Sequence, residues 1–163
     1  ASLAIHKTLE DIGIQAHIKW PNDIYVSDKK ICGILIENQL QGSRVASSII
    51  GIGLNVNEAD FPKGLTATSI ILEKGIAPDV MDVFDQVYAY LDFYVDHLMN
   101  SNFDLLLRRY YKTMYRKDEW HSYKDAEGTF KAKIIGIDEI GRLQLQLETN
   151  QVRAYQMQEV KYC

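Results

Sequence analysis

The 163-residue sequence is poor in cysteine and proline and contains no low-complexity or repeated segment. Cys32 lies in an apolar stretch and Cys163 is the last residue, so the two lack the paired spacing of a disulfide framework or a zinc site. Free thiols of this kind fit a reducing compartment, and we expect a cytoplasmic protein.

The sequence also lacks an excess of positive charge and any apolar run long enough to cross a bilayer. Asp and Glu outnumber Lys and Arg by 22 to 18, which gives a formal net charge of -4 at pH 7. Residues 108–117 form a basic cluster, but it falls near the end of a predicted helix, where cations suit the helix dipole. We therefore expect neither nucleic acid nor a membrane as a partner.

What the chain does contain is an alternation of helical and strand patterns. Apolar residues at helical spacing predict helices over residues 1–12, 69–74, 79–99 and 103–114. In the helix over 79–99 the apolar stripe includes Phe84 and Tyr88, so we expect these rings on its buried face. Because the sequence opens on helical residues without a methionine, we expect it to be a piece of a longer protein.

The strand patterns form two groups. The first covers residues 24–26, 31–37 and 44–56, and with the helices it predicts an α+β fold with a mixed or antiparallel sheet. The strand over 31–37 is apolar at nearly every position, so we expect both of its faces to be covered. Further on, alternating strands predict a small SH3-like β-barrel, with a domain boundary between residues 116 and 117; these strands cover 120–123, 129–137, 142–148 and 151–156.

Residues 18–37 concentrate the polar groups that can do chemistry. Pro21 fixes its own φ and pushes the preceding residue toward extended backbone, which places Asn22 and Asp23 at a strand end. A hairpin then brings Lys30 near the same sheet edge. This set of groups can hold a phosphate and its metal, whereas the alternative for Asn22 and Asp23 is a turn that bonds to itself.

The strand over 44–56 carries two glycines, Gly51 and Gly53, followed by Leu54 and Asn55. Glycine inside a strand weakens it and often marks a close approach to the backbone. One interpretation is a flat ligand over the glycines with Asn55 as a polar handle, and the other is tight packing between strand and helix. The pattern is not a dinucleotide fingerprint, because the third glycine and the following helix are missing.

Three ordered motifs together resemble the biotin protein ligase (biotin–acetyl-CoA-carboxylase ligase) family. They are Lys-Trp-Pro-Asn-Asp at 19–23, Lys-Lys-Ile-Cys-Gly-Ile-Leu-Ile-Glu at 29–37 and Ile-Gly-Ile-Gly-Leu-Asn-Val at 50–56. The resemblance extends over the whole chain, since that family has a catalytic domain followed by a small SH3-like domain. It implies that residues 1–116 are the C-terminal portion of an incomplete class II biotin/lipoate ligase-like core and that 117–163 are the SH3-like domain.

The resemblance implies a reaction in which ATP and Mg²⁺ activate biotin to biotinyl-5'-AMP, and biotin then passes to a lysine on the biotin-carrier domain of a carboxylase. It identifies Lys30 as the catalytic lysine, touching the biotin carboxylate and the α-phosphate, with Lys29 as its competitor. It assigns ATP to Asn22, Asp23 and Asn55, with Asp23 as the metal ligand. It assigns biotin or its adenylate to Gly33, Gly51, Gly53 and Leu54.

The sequence departs from the family in one respect. The Gly/Arg-rich biotin-binding segment that precedes the first motif has no counterpart, so we expect this chain by itself to bind biotin poorly and to be inactive. One alternative is lipoate protein ligase, which shares a related core and a Lys-x-x-Gly element. Another is a non-catalytic module that forms a homodimer through a sheet edge at residues 36–41.

Overall fold

The computed structural model describes residues 1–42 and 44–163, which divide into two compact units, Ala1–Thr113 and Met114–Cys163. Both contain antiparallel sheet, and the first also contains the helices of the described chain. The predicted α+β class, with an antiparallel sheet packed by helices, is confirmed. Every helix in these residues is too short or too polar to cross a membrane.

Within the described residues, the first unit has one four-stranded antiparallel sheet, in the order β1-β2-β3-β4. Its elements in chain order are α1 (Ser2–Asp11), β1 (Ala16–Lys19), β2 (Asp23–Val26), β3 (Lys29–Gln41), β4 (Arg44–Leu54), α2 (Ile70–Lys74), α3 (Val80–Met99) and α4 (Phe103–Lys112).

The core of the first unit lies between the sheet and helices α1 and α3. Helix α1 contributes Ile5 and Leu9, and the sheet contributes alternate residues of its short strands, among them Ile18 and Ile24. These four side chains are fully buried. Burial of each such side chain stabilises the fold by about 1.5–3 kcal/mol, which anchors the inner ends of the strands.

Strands β3 and β4 continue as a two-stranded ribbon beyond the core. β2 pairs with β3 only as far as Gly33, whereas β4 follows β3 to its end. Leu35 is 62% exposed and Ile36 is 48% exposed. The prediction that both faces of this strand are covered is therefore wrong beyond Ile34. An apolar sequence does not show how far the neighbouring strand β2 extends alongside β3.

Helix α3 buries less of its apolar surface than its pattern predicts. Val83, Val87 and Tyr94 are buried, but Phe84 is 57% exposed and Tyr88 is 62% exposed. The expectation that both rings lie on the buried face is wrong. The helix is apolar on two faces, and only one of them meets the core of the described chain.

In the described residues, the second unit has five strands in the antiparallel order β8-β7-β6-β5-β9. They are β5 (Trp120–Lys124), β6 (Thr129–Ile137), β7 (Leu143–Leu147), β8 (Val152–Tyr155) and β9 (Lys161–Tyr162). Tyr123, Ile134, Leu143 and Leu145 form its fully buried centre. Its description as an SH3-like barrel and the boundary at residues 116 and 117 stay predictions, while the compact units divide after Thr113.

Candidate active site

A bulge in β3 sets the direction of the Lys30 side chain. Its pairing with β2 slips after Ile24, so that Ile31 has no residue directly opposite. In a regular strand Lys30 and Gly33, three positions apart, would face opposite sides of the sheet. The extra residue reverses the alternation. Ile31 and Cys32 are consequently both buried, and Lys30 lies on the same face as Gly33.

The bulge brings together what we call the Lys30 corner, formed by Lys30, Asp23 and Gly33. Nζ of Lys30 lies 2.6 Å from Oδ1 of Asp23, and Asp23 is the register partner of Gly33. A Cβ on Gly33 would lie 3.0 Å from both Cε and Nζ of Lys30. The lysine side chain therefore passes over Gly33, where the absence of a side chain leaves room for it.

The ion pair at this corner is open to water. The Lys30 side chain is 41% exposed and that of Asp23 is 27% exposed. Solvent screening keeps the contribution of such pairs to stability small. The contact consequently orients the amine without trapping it, so an anionic ligand can draw the amine away from Asp23.

The corner continues into what we call the glycine strip, formed by Gly33, Gly53 and Gly51. Gly33 and Gly53 are register partners on β3 and β4, and Gly51 is two residues further along β4, opposite Leu35. At all three positions the missing side chain would lie on the same face of the sheet. A Cβ on Gly53 or on Gly51 would meet nothing closer than 3.7 Å or 3.8 Å respectively, so the strip is bare backbone on which a flat group can lie.

The side chains of Leu54, Asn22 and Asn55 make contacts with other parts of the fold rather than with Lys30 or Asp23. Leu54 alternates with Gly53 and packs against the hydrophobic core. Asn22 donates from Nδ2 to the carbonyl of Ile34 at 2.6 Å, and Asn55 donates from Nδ2 to the carbonyl of Thr68 at 3.0 Å. Their amide groups fix local backbone, and their assignment to ligands stays a prediction.

The backbone of Lys30 is held by a loop that the sequence reasoning did not connect with the site. The amide of Lys30 donates to the carbonyl of Thr66 at 3.1 Å, and the amide of Thr68 donates to the carbonyl of Lys30 at 2.9 Å. Thr68 in turn donates from Oγ1 to Glu73 at 2.6 Å. Nothing in the sequence near Thr66 signals this contact, because it joins residues far apart in the chain.

Cys32 lies next to the corner but is not a nucleophile. Its thiol is buried, and desolvation raises its pKa to about 12, although the nearby charge of Lys30 acts in the opposite direction. At neutral pH the group stays a thiol and behaves as a small apolar side chain.

The corner does not amount to a resident metal site. No three His, Cys, Asp or Glu side chains are grouped to hold a metal ion anywhere in residues 1–42 and 44–163. Asp23 offers one carboxylate, and its Oδ1 already faces the ammonium of Lys30. Mg²⁺ usually binds through one or two carboxylates together with substrate phosphates, so the single paired carboxylate of Asp23 does not make a magnesium site.

Comparison with known proteins agrees with the architecture. A profile of the biotin/lipoate A/B protein ligase family matches residues 1–55. The bifunctional ligase/repressor BirA of Bacillus subtilis is 36% identical over 93% of this chain, which covers 47% of that protein. The chain thus spans about half the length of the curated Bacillus relatives it matches.

Solved structures give the same result. The apo biotin protein ligase of Aquifex aeolicus superposes with a TM-score of 0.79 at 26% identity, covering 99% of this chain and 71% of that one. A structure of the Aquifex aeolicus ligase with biotin and ATP shares the fold, with a TM-score of 0.79 at 24% identity and coverage of 99% and 68%. Since the profile, the Bacillus relative and the apo Aquifex structure agree, the chain belongs to the biotin protein ligase family.

Proposed function

We propose that this chain carries the adenylation corner of a biotin protein ligase. The reaction is the ATP-dependent conversion of biotin to biotinyl-5'-AMP, followed by transfer to a lysine on the biotin-carrier domain of a carboxylase. The observation that carries the proposal is the amine of Lys30, held over Gly33 beside Asp23 at the end of a bare glycine strip.

The chemistry explains why an amine is needed there. A biotin carboxylate oxygen forms a bond to the α-phosphorus of ATP while the bond to pyrophosphate breaks, so two anions must approach each other. A cation placed between them attracts each anion with a Coulomb energy of about 4 kcal/mol at 4 Å and an effective dielectric of about 20, before desolvation costs. The carrier lysine then attacks the carbonyl of the mixed anhydride, and AMP leaves.

The remaining residues have supporting roles in the proposal. Asp23 orients the amine of Lys30 when no ligand is bound, and it serves as one oxygen ligand if Mg²⁺ arrives with the ATP phosphates. The glycine strip takes the flat parts of biotin or its adenylate, and Leu54 contributes backbone only. Asn22 and Asn55 shape the ATP side of the site through their backbone hydrogen bonds.

Two further features of the proposal come from outside the corner. The Aquifex aeolicus ligase was solved with biotin and ATP, which supports the same two substrates here. Cys32 and Cys163 are free thiols, which supports a reducing location such as the cytoplasm. We also propose that residues 117–163, within the second unit, are the SH3-like domain of the family.

The test is biotin-dependent exchange of pyrophosphate into ATP, measured on the complete protein. We expect Lys30→Ala to lower the exchange rate by about a hundredfold or more, as for the loss of other groups that stabilise developing charge. Lys29→Ala is the matched control, because Lys29 is the adjacent exposed lysine and lies opposite Val26, away from the corner. Undiminished exchange in Lys30→Ala, with the fold intact, would refute the proposal.

Lipoate protein ligase is the second candidate, because the matching profile covers both biotin and lipoate enzymes. The Lys-Trp-Pro-Asn-Asp motif and the Bacillus and Aquifex relatives favour biotin. Thermal shift with non-hydrolysable biotinyl- and lipoyl-adenylate analogues separates the two. Stronger stabilisation of the complete protein by the lipoyl compound would reverse our choice.

A homodimer through a sheet edge is compatible with either activity. From residue 35 onward, β3 has β4 on one side and no other strand of the described chain on the other. Leu35, Ile36 and Leu40 are exposed along it, and such an edge can pair with a second copy. Sedimentation at micromolar concentration tests this arrangement, and a monomer there would exclude it.

A further inference from the structure

A second cleft, separate from the Lys30 corner, lies in the first unit among α1, β1, α3 and α4. Its volume is about 410 Å³, within the range of small-ligand sites. It shares no residue with the Lys30 corner or the glycine strip. The side chains that give it its character are His6, His17, Tyr94, Arg109 and Lys112.

Two permanent cations of this cleft lack acidic partners. Among the described residues, no carboxylate forms an ion pair with Arg109 or with Lys112. Arg109 is nevertheless held in place, because Nη1 donates to the hydroxyl of Tyr94 at 3.2 Å and the guanidinium lies 5.9 Å from the centre of that ring. A cation fixed without a counter-charge is well prepared to bind an anion.

The acidic side of the cleft is already occupied. Glu10, the carboxylate that lines it, accepts from Nζ of Lys7 at 2.8 Å, and Asp11 contacts the same amine at 2.7 Å. Glu10 therefore does not neutralise the cations of α4. The formal charges of the lining side chains, with neutral histidines, sum to an excess of positive charge from Arg109 and Lys112.

His6, one of the two histidines of the cleft, adds charge that depends on pH. His6 is partly buried, and desolvation together with the nearby His17 and Lys7 lowers its pKa, against the opposing effects of Glu10 and of a backbone hydrogen bond with Ala16. The groups that face it across the cleft from α3 and α4 are Tyr94, Arg109 and Lys112. A bound anion would offset this positive surrounding and favour the protonated imidazole.

We propose that this cleft binds a small anion of the phosphate class. The planar guanidinium of Arg109 can donate two parallel hydrogen bonds to a phosphate, and Lys112 supplies a second charge from one turn along the helix. The volume admits inorganic phosphate or a small phosphate monoester. The inference is independent of the reaction proposed for the Lys30 corner.

The experiment is a titration of the 163-residue chain with inorganic phosphate at pH 6.5, at constant ionic strength set by sodium chloride. The ring proton signals of His6 and His17 are followed by NMR and assigned with His6→Gln and His17→Gln. We expect saturable shifts of both signals and a rise in the apparent pKa of His6. A parallel titration with glycerol 3-phosphate shows whether a phosphate monoester binds more tightly than inorganic phosphate. Saturable binding of either compound supports the site.

Variants make the result decisive. Lys112→Gln removes an exposed charge, and Arg109→Gln removes the oriented one, so each should weaken phosphate binding by about tenfold or more. Arg108→Gln is the matched control, because Arg108 is the neighbouring arginine on α4 and bonds the carbonyl of Asp104 within its own helix. A linear shift that sodium chloride reproduces, or a saturable shift that neither Lys112→Gln nor Arg109→Gln weakens, would overturn the proposal.

Discussion

Gly33 is the smallest part of the Lys30 corner and the one most sensitive to change. A methyl group at this position would lie 3.0 Å from Cε and Nζ of Lys30. That distance is shorter than ordinary van der Waals contact, and the flexible end of the lysine is what can move. The amine would then leave Asp23 while the backbone of β3 keeps its place.

We therefore expect Gly33→Ala to act through Lys30. In the complete protein it should weaken binding of a non-hydrolysable biotinyl-adenylate analogue, measured by calorimetry. In a Lys30→Ala background the same change should cost less affinity, because only the direct contact of Gly33 with the ligand is then lost, and we expect a coupling of about 1–2 kcal/mol. An equal loss of affinity in both backgrounds would show that Gly33 acts on the ligand directly.

Asp125 is the most fully bonded carboxylate of the second unit. Its side chain is 8% exposed, and Oδ2 accepts from the hydroxyl of Tyr155 at 2.8 Å and from Arg153 at 3.2 Å. Oδ1 accepts from the amides of Glu127 and Gly128. The bond from Tyr155, followed by the backbone bonds and the charge of Arg153, lowers the pKa of Asp125.

This depressed pKa predicts acid sensitivity of the second unit. A carboxyl group with a lower pKa in the folded state contributes stability above its unfolded value of about 3.9 and loses that contribution as the pH falls through the folded value. Asp125→Asn should lower the urea midpoint at pH 7 and make it depend less on pH between about 5 and 2.5. Trp120 fluorescence, measured in a Trp20→Phe background so that the tryptophan of the first unit does not contribute, reports the transition, and the exposed Glu139→Gln serves as control. An unchanged pH profile in Asp125→Asn would contradict this role.

Helix α3 shows that an apolar pattern and a buried face are different things. Its buried residues Val83 and Val87 alternate with Phe84 and Tyr88, which are more than half exposed. Helical periodicity identifies which residues share a face. It does not identify which of two apolar faces has a partner, because the partner is supplied by another part of the structure.

A pair of adjacent substitutions distinguishes the two faces. Val87→Ala should lower the free energy of unfolding of the 163-residue chain by about 1–3 kcal/mol, because it opens a cavity in the core. Tyr88→Ser should change it by less than about 0.5 kcal/mol, as exposed substitutions usually do. Urea denaturation followed by circular dichroism measures both. A larger effect at Tyr88 than at Val87 would show that the exposed ring is buried in solution.

The β2–β3 hairpin shows what could be read from the sequence and what could not. Pro21, the polar turn and the apolar return strand predicted the hairpin and placed Asp23 and Lys30 near one another. The face that Lys30 occupies depends on the unpaired Ile31, and a bulge has no distinct signal in such an apolar stretch. The backbone hydrogen bonds that join Lys30 to Thr66 and Thr68 are likewise contacts between residues far apart in the chain, which local patterns cannot predict.

The chain contains two parts of a binding site: the Lys30 corner, which offers a positive charge, and the glycine strip, which offers a bare surface for a flat group. Lys30 is the cation that the corner presents, and it is 41% exposed. Arg108 and Arg109 of the first unit lie outside the corner and the strip. A single screened cation gives little affinity for a carboxylate such as that of biotin, and this chain spans about half the length of its Bacillus relatives.

We therefore expect the 163-residue chain by itself to bind biotin poorly and to show no turnover. Calorimetry should give a much weaker signal for biotin than for a biotinyl-adenylate analogue, because the analogue adds a phosphate-like group that Lys30 can reach. Pyrophosphate exchange into ATP should stay at the level of a sample without protein. Biotin-dependent exchange by the chain, abolished by Lys30→Ala and kept by Lys29→Ala, would prove this expectation wrong while confirming the role of Lys30.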